Sequence, residues 1–421
     1  MKGVHYQGLG DLSRHDVVSM AVRPYSPGEN YQTEDGLLIH LTVTGRCYAR
    51  CKGCINTAVT LGSDLPRSDL DIFQETAPER DCEIILGLTR RHPQKTMTLC
   101  FYGGEPFLCI EKMVEVWKRL KDTDEAERIR FLVYTNGEKI SENLQRYHDF
   151  MKDIWLYSIS IDGDEKQHNS IRLGTRLSRI HKNLDDLSGF YSGYVLHWST
   201  LREEQSLKIC FDEFMRLYER GWVNQIFWHW AESRESFIEF SRYAERYGKE
   251  LEEIMNAYVN ELQKGRLLPI IHINELVLYL ISGRSRGHTA CGVEMKKNYD
   301  VVSGEVFPCA DLPSSHSIGG LDKNGKLKLK EYDLKSLVAY KVDLGCGDCG
   351  VHAYCGGRCP VQVLAGSMER TLQYCQLMRL HVGIVQQHIE KIIESFHAHG
   401  ITLQDVYDRS GFLAKYTDVV P

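Results

Sequence analysis

Three cysteines stand close together directly after the first run of residues that predicts a β-strand. Cys47, Cys51 and Cys54 are spaced C-x3-C-x2-C within the segment TGRCYARCKGC. Three thiolates so close in sequence can converge on one metal centre, although structural zinc sites and thiolate-bound 4Fe-4S clusters normally take four protein ligands. The spacing therefore predicts either a zinc site completed by a distant residue or a 4Fe-4S cluster with one iron open to a small molecule.

A second and larger set of cysteines occupies the C-terminal part of the chain. Cys309 follows Gly304 as G-x4-C, and four further cysteines follow as C-x2-C-x5-C-x3-C. The whole set is Cys291, Cys309, Cys346, Cys349, Cys355, Cys359 and Cys375. A zinc ribbon on the C-x2-C pair is one interpretation of this pattern, and iron-sulfur ligation is the other.

Composition and charge restrict the class of protein. The chain has 421 residues, 43% apolar and 26% charged, which allows an ordinary core and predicts two domains. A net charge of -6 and a pI near 6.3 argue against general binding to nucleic acid or to a membrane surface. No run of about 18 apolar residues and no secretory signal occur, so we expect a cytoplasmic protein. Because cytoplasmic thiols stay reduced, its 14 cysteines favour metal ligation over a disulfide scaffold.

A strand-then-helix pattern repeats six times from Leu37 and must position the cysteine loop. The predicted strands are residues 37–43, 96–102, 130–134, 155–161, 194–200 and 224–230. Such alternation predicts an α/β fold, a partial (β/α)6 barrel of parallel strands with its chemistry at their C-terminal ends. We assign residues 1–36 to an irregular lead-in, 37–234 to the barrel, 235–282 to a helical bridge, and 283–421 to a cysteine-rich domain with a C-terminal helix and tail.

The cysteine loop, placed after the first strand, resembles the signature of the radical S-adenosylmethionine (SAM) superfamily. One unit later, the turn after the second strand resembles the superfamily motif whose backbone receives the amino group of SAM. This turn consists of Gly103, Gly104, Glu105 and Pro106. The resemblance implies a 4Fe-4S cluster on the three cysteines, with SAM chelating the open iron. Gly53 departs from the family pattern, which usually has an aromatic residue before the third cysteine.

Polar segments at later strand ends look like segments of the peptide- and protein-modifying branch of this superfamily. They read YTNG, SISIDG and HNSIR. By that resemblance, Ser158 and Ser160 would meet the ribose of SAM, and Arg172 would meet its carboxylate. The alternative is that these polar residues only cap the helices that follow the strands.

The seven C-terminal cysteines resemble those of the SPASM domain, which holds two auxiliary 4Fe-4S clusters. With the cluster of the cysteine loop, the resemblance implies three 4Fe-4S clusters in all. By that resemblance, one auxiliary cluster would bind Cys291, Cys309 and Cys359, and the other would bind Cys346, Cys349, Cys355 and Cys375. Sulfatase-maturing relatives have a further cysteine shortly after the first one, where this chain reads GVEMKKNYD. We hypothesise an open or non-cysteine position on one auxiliary iron, which a substrate thiolate could occupy.

Two kinds of residue lie outside these ligand sets. Asp311, two residues after Cys309, is a candidate catalytic base, because sulfatase-maturing relatives place an aspartate directly after the equivalent cysteine. Its register differs by one residue. The remaining cysteines are expected to pack in the core as small apolar side chains. They are Cys82, Cys100, Cys109 and Cys210.

The resemblance implies a radical SAM maturase that oxidatively modifies a ribosomally made peptide and installs a thioether or other crosslink. Its partners would be a peptide or small protein substrate and a flavodoxin- or ferredoxin-type electron donor. Because the segment before Leu37 is short, we expect a separate leader-binding protein, or recognition by the bridge and C-terminal domain. The alternatives are an anaerobic sulfatase-maturing, formylglycine-generating enzyme and, in another class, a non-catalytic iron-sulfur electron carrier or sensor.

Overall fold

The computed structural model describes residues 30–54, 74–312, 314–417 and 420–421, so most of the predicted lead-in lies outside the described residues. The strands are β1 (Gly36–Thr44), β2 (Arg50–Cys51), β3 (Thr96–Gly103), β4 (Ile129–Thr135), β5 (Ile154–Ser160), β6 (Arg172–Leu173), β7 (Tyr194–Leu201), β8 (Gln225–Trp230), β9 (Asn298–Val302), β10 (Glu305–Phe307), β11 (Gly319–Leu321) and β12 (Leu327–Leu329).

The α-helices alternate with the strands as far as β8 and dominate the chain after it. They are α1 (Pro78–Arg90), α2 (Ile110–Lys121), α3 (Ser141–Leu144), α4 (His148–Asp153), α5 (Glu165–Ile171), α6 (Leu177–Ser188), α7 (Leu207–Glu219), α8 (Phe240–Leu262), α9 (Ile271–Ser282), α10 (Tyr340–Asp343), α11 (His352–Cys355), α12 (Pro360–Ala365), α13 (Met368–Gln387), α14 (Ile389–His399) and α15 (Leu403–Arg409). Within the described ranges, no helix is both long and apolar enough to cross a membrane.

Ten of the described strands form one sheet, in the order β12-β11-β10-β9-β1-β3-β4-β5-β7-β8. Every pairing from β9 to β8 is parallel, whereas β10, β11 and β12 extend one edge in antiparallel fashion. The six strands predicted from the sequence are β1, β3, β4, β5, β7 and β8, each within one residue of its predicted bounds. The parallel order follows from the helical crossovers between successive strands.

The predicted domain boundary near residue 283 stays a prediction, and two features of the fold bear on it. Residues 235–282 contain the helices α8 and α9. Beyond them, β9 pairs in parallel with β1, from Leu38 opposite Asn298 to Leu41 opposite Val301. The cysteine-rich segment therefore continues the sheet of the barrel.

Each of the six predicted strands contributes one apolar side chain to a buried layer on the same face of the sheet. The layer consists of Leu38, Cys100, Leu132, Leu156, Leu196 and Phe227. Residues of the C-terminal segment, Leu413, Ala414 and Tyr416, pack against it. The other face of the sheet and the surrounding helices form the main core, because the strands of a parallel sheet are covered on both faces.

Leu156→Ala is expected to lower the free energy of unfolding by about 2–5 kcal/mol, because it leaves a cavity in the apolar layer. Leu156 is 0% exposed, whereas Ile238, the matched control for aliphatic truncation, is 92% exposed. Ile238→Ala should change the free energy of unfolding by no more than about 0.5 kcal/mol. Urea denaturation followed by tryptophan fluorescence measures both. Equal changes in the free energy of unfolding would show that a side chain of the apolar layer contributes no more to stability than one on the surface.

Lys415, in the C-terminal segment, is expected to make stability depend on pH. Its Nζ atom has no hydrogen-bond partner among the described residues, and burial lowers the pKa of Lys415 from 10.5 to about 8. Between these pH values the unfolded chain binds more protons than the folded chain, so stability should rise with pH, by at most about 1.4 kcal/mol per unit.

The comparison that isolates this effect is the free energy of unfolding near pH 8 and near pH 10, measured for the parent and for Lys415→Met. Tyrosines and thiols titrate equally in both proteins, so their contribution cancels in the difference. The parent should gain stability relative to Lys415→Met as the pH rises. Lys249→Met, at a lysine whose side chain is 72% exposed, should behave like the parent. A constant difference between parent and Lys415→Met would contradict the lowered pKa.

Candidate cofactor and cluster site

A cavity of about 270 Å³ lies at the C-terminal ends of the parallel strands. Side chains on a strand alternate between the two faces, so residues two positions after the apolar layer point to the same side as that layer. All six of these residues line the cavity: His40, Tyr102, Tyr134, Ser158, Trp198 and His229. The apolar layer is thus the floor, and the next layer is the wall, of a site at the strand ends where the chemistry of such barrels lies.

The loop after β1 places its three cysteines, Cys47, Cys51 and Cys54, along this cavity. Within the loop, β2 pairs with β6 in antiparallel fashion, with Cys51 opposite Arg172. The Lys52 amide also donates to the carbonyl of Ile171, at 3.0 Å. No three His, Cys, Asp or Glu side chains of the described ranges lie close enough together to hold a single metal ion. Cysteine thiolates are the usual ligands of iron-sulfur clusters, so the donor set of the loop fits such a cluster.

Arg202, just after β7, fastens the cysteine loop to the barrel. Its guanidinium donates to the carbonyl of Lys52 and, at 3.4 Å, to the carbonyl of Gly53. Gly53 has φ +56°, and a Cβ atom there would lie 3.3 Å from Arg202 Nε. A left-handed backbone beside a fixed guanidinium explains the glycine before Cys54. Sequence reasoning missed Arg202, for which the chain offers only the weak signal of a basic residue at a strand end.

Asp162 is fully buried and binds two arginines. Its carboxylate accepts from Arg172 Nε at 2.8 Å and Nη2 at 3.2 Å, from Arg202 Nη1 at 3.2 Å and from the Thr200 amide at 2.9 Å. Burial alone would raise the pKa of Asp162, but the cations of Arg172 and Arg202 lower it to about 2. The carboxylate is therefore ionised at neutral pH and orients both guanidinium groups at the cavity wall.

The Gly-Gly-Glu-Pro turn after β3 pairs with the start of the cysteine loop. The Gly104 amide donates to the carbonyl of Thr44 at 2.8 Å, and the Glu105 amide donates to the carbonyl of Arg46 at 2.9 Å. A Cβ atom on Gly104 would lie 2.2 Å from the carbonyl oxygen of Arg46, so no other residue fits without a shift of the backbone. The turn and the cysteine loop therefore hold a fixed relative position.

The Glu105 side chain connects this turn to the end of β4. It accepts hydrogen bonds from the Phe107 amide at 3.1 Å, the Thr135 hydroxyl at 2.8 Å and the Asn136 amide at 2.9 Å. Burial raises the pKa of Glu105 to about 7, although the hydrogen bonds from Asn136, Thr135 and Phe107 lower it. Three structural segments, namely the cysteine loop, the turn and the YTNG end of β4, are thus joined by one hydrogen-bond network.

The residues predicted to bind SAM divide into two groups in the structure. Most of them line the cavity: Gly103, Gly104, Ser158, Ser160 and Arg172. Glu105 and Pro106 are buried in the turn behind the cavity wall. Their place fits a structural role in the turn, which the sequence motif did not distinguish from contact with the cofactor.

Three C-terminal cysteines, Cys291, Cys309 and Cys359, line the same cavity as the cysteine loop. Burial raises the pKa of Cys309, and the charges of Asp311, Asp300 and Cys359 raise it further. The Asp311 carboxylate also lines the cavity, with Oδ2 4.0 Å from Cys309 Sγ. The set assigned to the first auxiliary cluster therefore lies together, within one cavity that the cysteine loop also lines.

The other four C-terminal cysteines lie together elsewhere. Burial and the neighbouring thiols of Cys355, Cys349 and Cys346 together raise the pKa of Cys375 to about 12, although Arg358 lowers it. None of these four residues is part of the cavity wall described above. Of the cysteines outside these three sets, Cys82, Cys109 and Cys210 are buried in the main core and Cys100 in the apolar layer.

Comparison with known proteins gives one family match and a set of similar structures. Residues 35–182, about a third of the chain, match the family model of a 4Fe-4S single cluster domain. This range holds the cysteine loop, the Gly-Gly-Glu-Pro turn and Arg172. No curated protein matches the sequence at a significant level.

The similar structures include anSMEcpe with bound AdoMet, at 16% identity and a TM-score of 0.63, covering 87% of this chain and 99% of that one. Native anSMEcpe with bound AdoMet and Cp18Cys peptide has 16% identity and a TM-score of 0.63, covering 85% and 99%. Streptococcus suis SuiB bound to S-adenosylmethionine has 14% identity and a TM-score of 0.47, covering 80% and 73%. The chain therefore has the fold of the AdoMet-bound anSMEcpe structures, and the predicted α/β fold class is confirmed: a partial parallel barrel followed by a cysteine-rich segment.

Proposed function

We propose that this protein is a radical SAM enzyme whose first 4Fe-4S cluster binds Cys47, Cys51 and Cys54. The observation that carries the proposal is the composition of one cavity wall. The three thiols, the backbone of Gly103 and Gly104, and the Arg172 guanidinium all line the cavity at the C-terminal ends of the parallel strands. The 4Fe-4S family match over residues 35–182 and the fold shared with AdoMet-bound proteins support it.

The chain's own residues bind and orient the cofactor in this proposal. The thiolates of Cys47, Cys51 and Cys54 would hold the cluster and leave one iron without a protein ligand, where SAM would bind. Bound there, the cluster and SAM would supply one-electron chemistry that abstracts hydrogen atoms. Arg172, held in place by Asp162, presents positive charge to the SAM carboxylate.

Aromatic side chains of the cavity wall keep this chemistry away from water. The Trp198 ring packs against Tyr134, with ring centroids 5.2 Å apart, and against His229, at 5.5 Å. Tyr102 makes an edge-on contact with Tyr134 at 5.9 Å. A wall of rings that contact one another is preorganised and loses little conformational entropy when a substrate binds.

We further propose that the substrate is a ribosomally made peptide or small protein, which the enzyme crosslinks by a thioether or another oxidative bond. Two auxiliary 4Fe-4S clusters would occupy the C-terminal cysteine sets, as in a SPASM domain. Support comes from Cys291, Cys309 and Cys359, which open into the same cavity as the cysteine loop. A substrate in that cavity would be within reach of both centres. Peptide binding by the structural neighbour anSMEcpe also supports this proposal.

Oxidation of a cysteine or serine to formylglycine, as in sulfatase maturation, is the second candidate. The observation that favours it is Asp311, which lines the cavity beside Cys309 and would act as the base. Either reaction needs a one-electron donor of the flavodoxin or ferredoxin type and a reducing compartment, for which the cytoplasm is our proposal. A separate leader-binding protein is part of the crosslinking proposal only.

Anaerobic reconstitution is expected to give about twelve irons per chain, and a Cys47→Ala, Cys51→Ala, Cys54→Ala triple variant about eight, because each 4Fe-4S cluster holds four irons. Iron and sulfide analysis with low-temperature EPR measures both. With a strong reductant, only the parent should convert SAM to 5′-deoxyadenosine. About four irons in the parent, or zinc in their place, would overturn the auxiliary-cluster assignment. A parent that never cleaves SAM would overturn the enzyme assignment.

Arg202→Met is expected to weaken SAM binding about tenfold or more, because the cysteine loop loses charge-assisted hydrogen bonds worth about 1.5–3 kcal/mol each. The change in the EPR signal of the reduced cluster on titration with SAM measures the affinity. Arg242→Met is the matched control, since the Arg242 side chain is 78% exposed and forms an ion pair with Glu239. Equal affinity in both variants would show that Arg202 does not position the loop.

A further inference from the structure

Glu232 is a buried glutamate at the cavity wall, and it has no part in the proposed binding of SAM. It follows β8 by two residues, is 3% exposed and lines the cavity. Its Oε2 atom has no hydrogen-bond partner within the part of the chain that the structure describes. A buried carboxylate oxygen without a hydrogen bond is costly, so an atom of this kind normally faces a ligand or a cation.

His229 lies beside Glu232 but does not neutralise it. The distance from His229 Nδ1 to Glu232 Oε2 is 3.6 Å, beyond ordinary hydrogen-bond length. Burial lowers the pKa of His229 to about 3, so its imidazole is neutral at physiological pH. The second imidazole nitrogen, Nε2, lies 3.0 Å from the Thr200 hydroxyl. His229 therefore leaves the Glu232 Oε2 atom at the cavity wall without a hydrogen bond. Burial raises the pKa of Glu232, although its own backbone amide and the cations of Arg358 and Arg370 lower it.

Hydrogen bonds on both sides of Glu232 fix its backbone near the helix that Cys359 precedes. The Ser233 amide donates to Gln362 Oε1 at 2.8 Å, and Gln362 Nε2 donates back to the Ser233 carbonyl at 2.9 Å. On the other side, the Tyr374 hydroxyl donates to the carbonyl of Ala231. Gln362 belongs to α12, and Cys359 is the residue that precedes this helix. Besides burial, the charge of Glu232 raises the pKa of Cys359, as expected for groups that lie close together.

Other acidic residues near the three thiols have partners. Glu294, within the stretch that follows Cys291, accepts hydrogen bonds from the Thr289 amide and hydroxyl and from Lys341 Nζ, at 2.6–2.9 Å. Asp300 pairs with His40 Nδ1 at 3.3 Å. Asp311 lies beside Cys309 and is the remaining rival. Unlike Glu232, it is only half-buried.

We propose that Glu232 is the fourth protein ligand of the cluster on Cys291, Cys309 and Cys359, and that it supplies a carboxylate oxygen to one iron. This inference rests on the proposed function, which places a 4Fe-4S cluster on these thiols. The thiols and the carboxylate line one cavity, and carboxylates bind iron in other protein sites. Glu232 would thus take the place of a fourth cysteine, which the stretch after Cys291 lacks.

The test uses the full chain in the Cys47→Ala, Cys51→Ala, Cys54→Ala background, which removes the first cluster and leaves about eight irons in the auxiliary sites. Glu232→Gln, Glu232→Cys and the rival Asp311→Asn are each reconstituted with 57Fe. Mössbauer and EPR spectra then report the ligation of the clusters. Glu213→Gln is the matched control, a buried glutamate that pairs with His181 and Arg216 away from the cavity.

Glu232→Gln is expected to change the spectrum of one cluster or to lose one iron from it, because a neutral amide is a poor iron ligand. Glu232→Cys, which restores an anionic ligand, should keep about eight irons and show a spectrum typical of four thiolates. Asp311→Asn and Glu213→Gln should match the background. Spectra that are unchanged by Glu232→Gln, or that change with Asp311→Asn instead, overturn this inference alone. A background with only about four irons overturns it together with the auxiliary-cluster assignment.

Discussion

The buried ion pair of Asp162 with Arg172 and Arg202 is the interaction on which the candidate site depends. A carboxylate without exposure to water is stable only when its charge is balanced, and here two guanidinium groups balance it. Arg172 belongs to the strand that pairs with Cys51, and Arg202 binds the carbonyls before Cys54. One charge thus holds the cysteine loop, the end of β5 and the end of β7 in a single arrangement.

The alternation of side chains along parallel strands separates stability from chemistry in this fold. One residue per strand forms the apolar floor, and the residue two positions later forms the cavity wall. Polar and aromatic side chains can therefore line the wall while the floor stays close-packed. Because the strands are parallel and in similar register, all the wall residues meet at one end of the sheet, where the loops after the strands also lie.

The shared cavity brings two of the three cysteine sets together. The loop cysteines and the set of Cys291, Cys309 and Cys359 open into one space, whereas the remaining set lies outside its wall. In the proposed enzyme, a substrate would meet a source of radicals and a second metal centre without moving. The buried Glu232 in that space would then have a physical reason, because an iron centre would compensate for the water that the carboxylate has lost.

The sequence by itself determined the order and bounds of the six barrel strands, since each is a local run of apolar residues ended by turn residues. It also determined the cysteine spacings, because these depend only on neighbours in the chain. The tertiary structure alone decided the partners of Asp162, the loop contact of Arg202 and the placement of Glu232. Arg202 bonds to a residue 150 positions away and Ser233 to one 129 positions away. Such pairs arise from chain crossovers that bring distant segments together, and no local pattern of residue types encodes them.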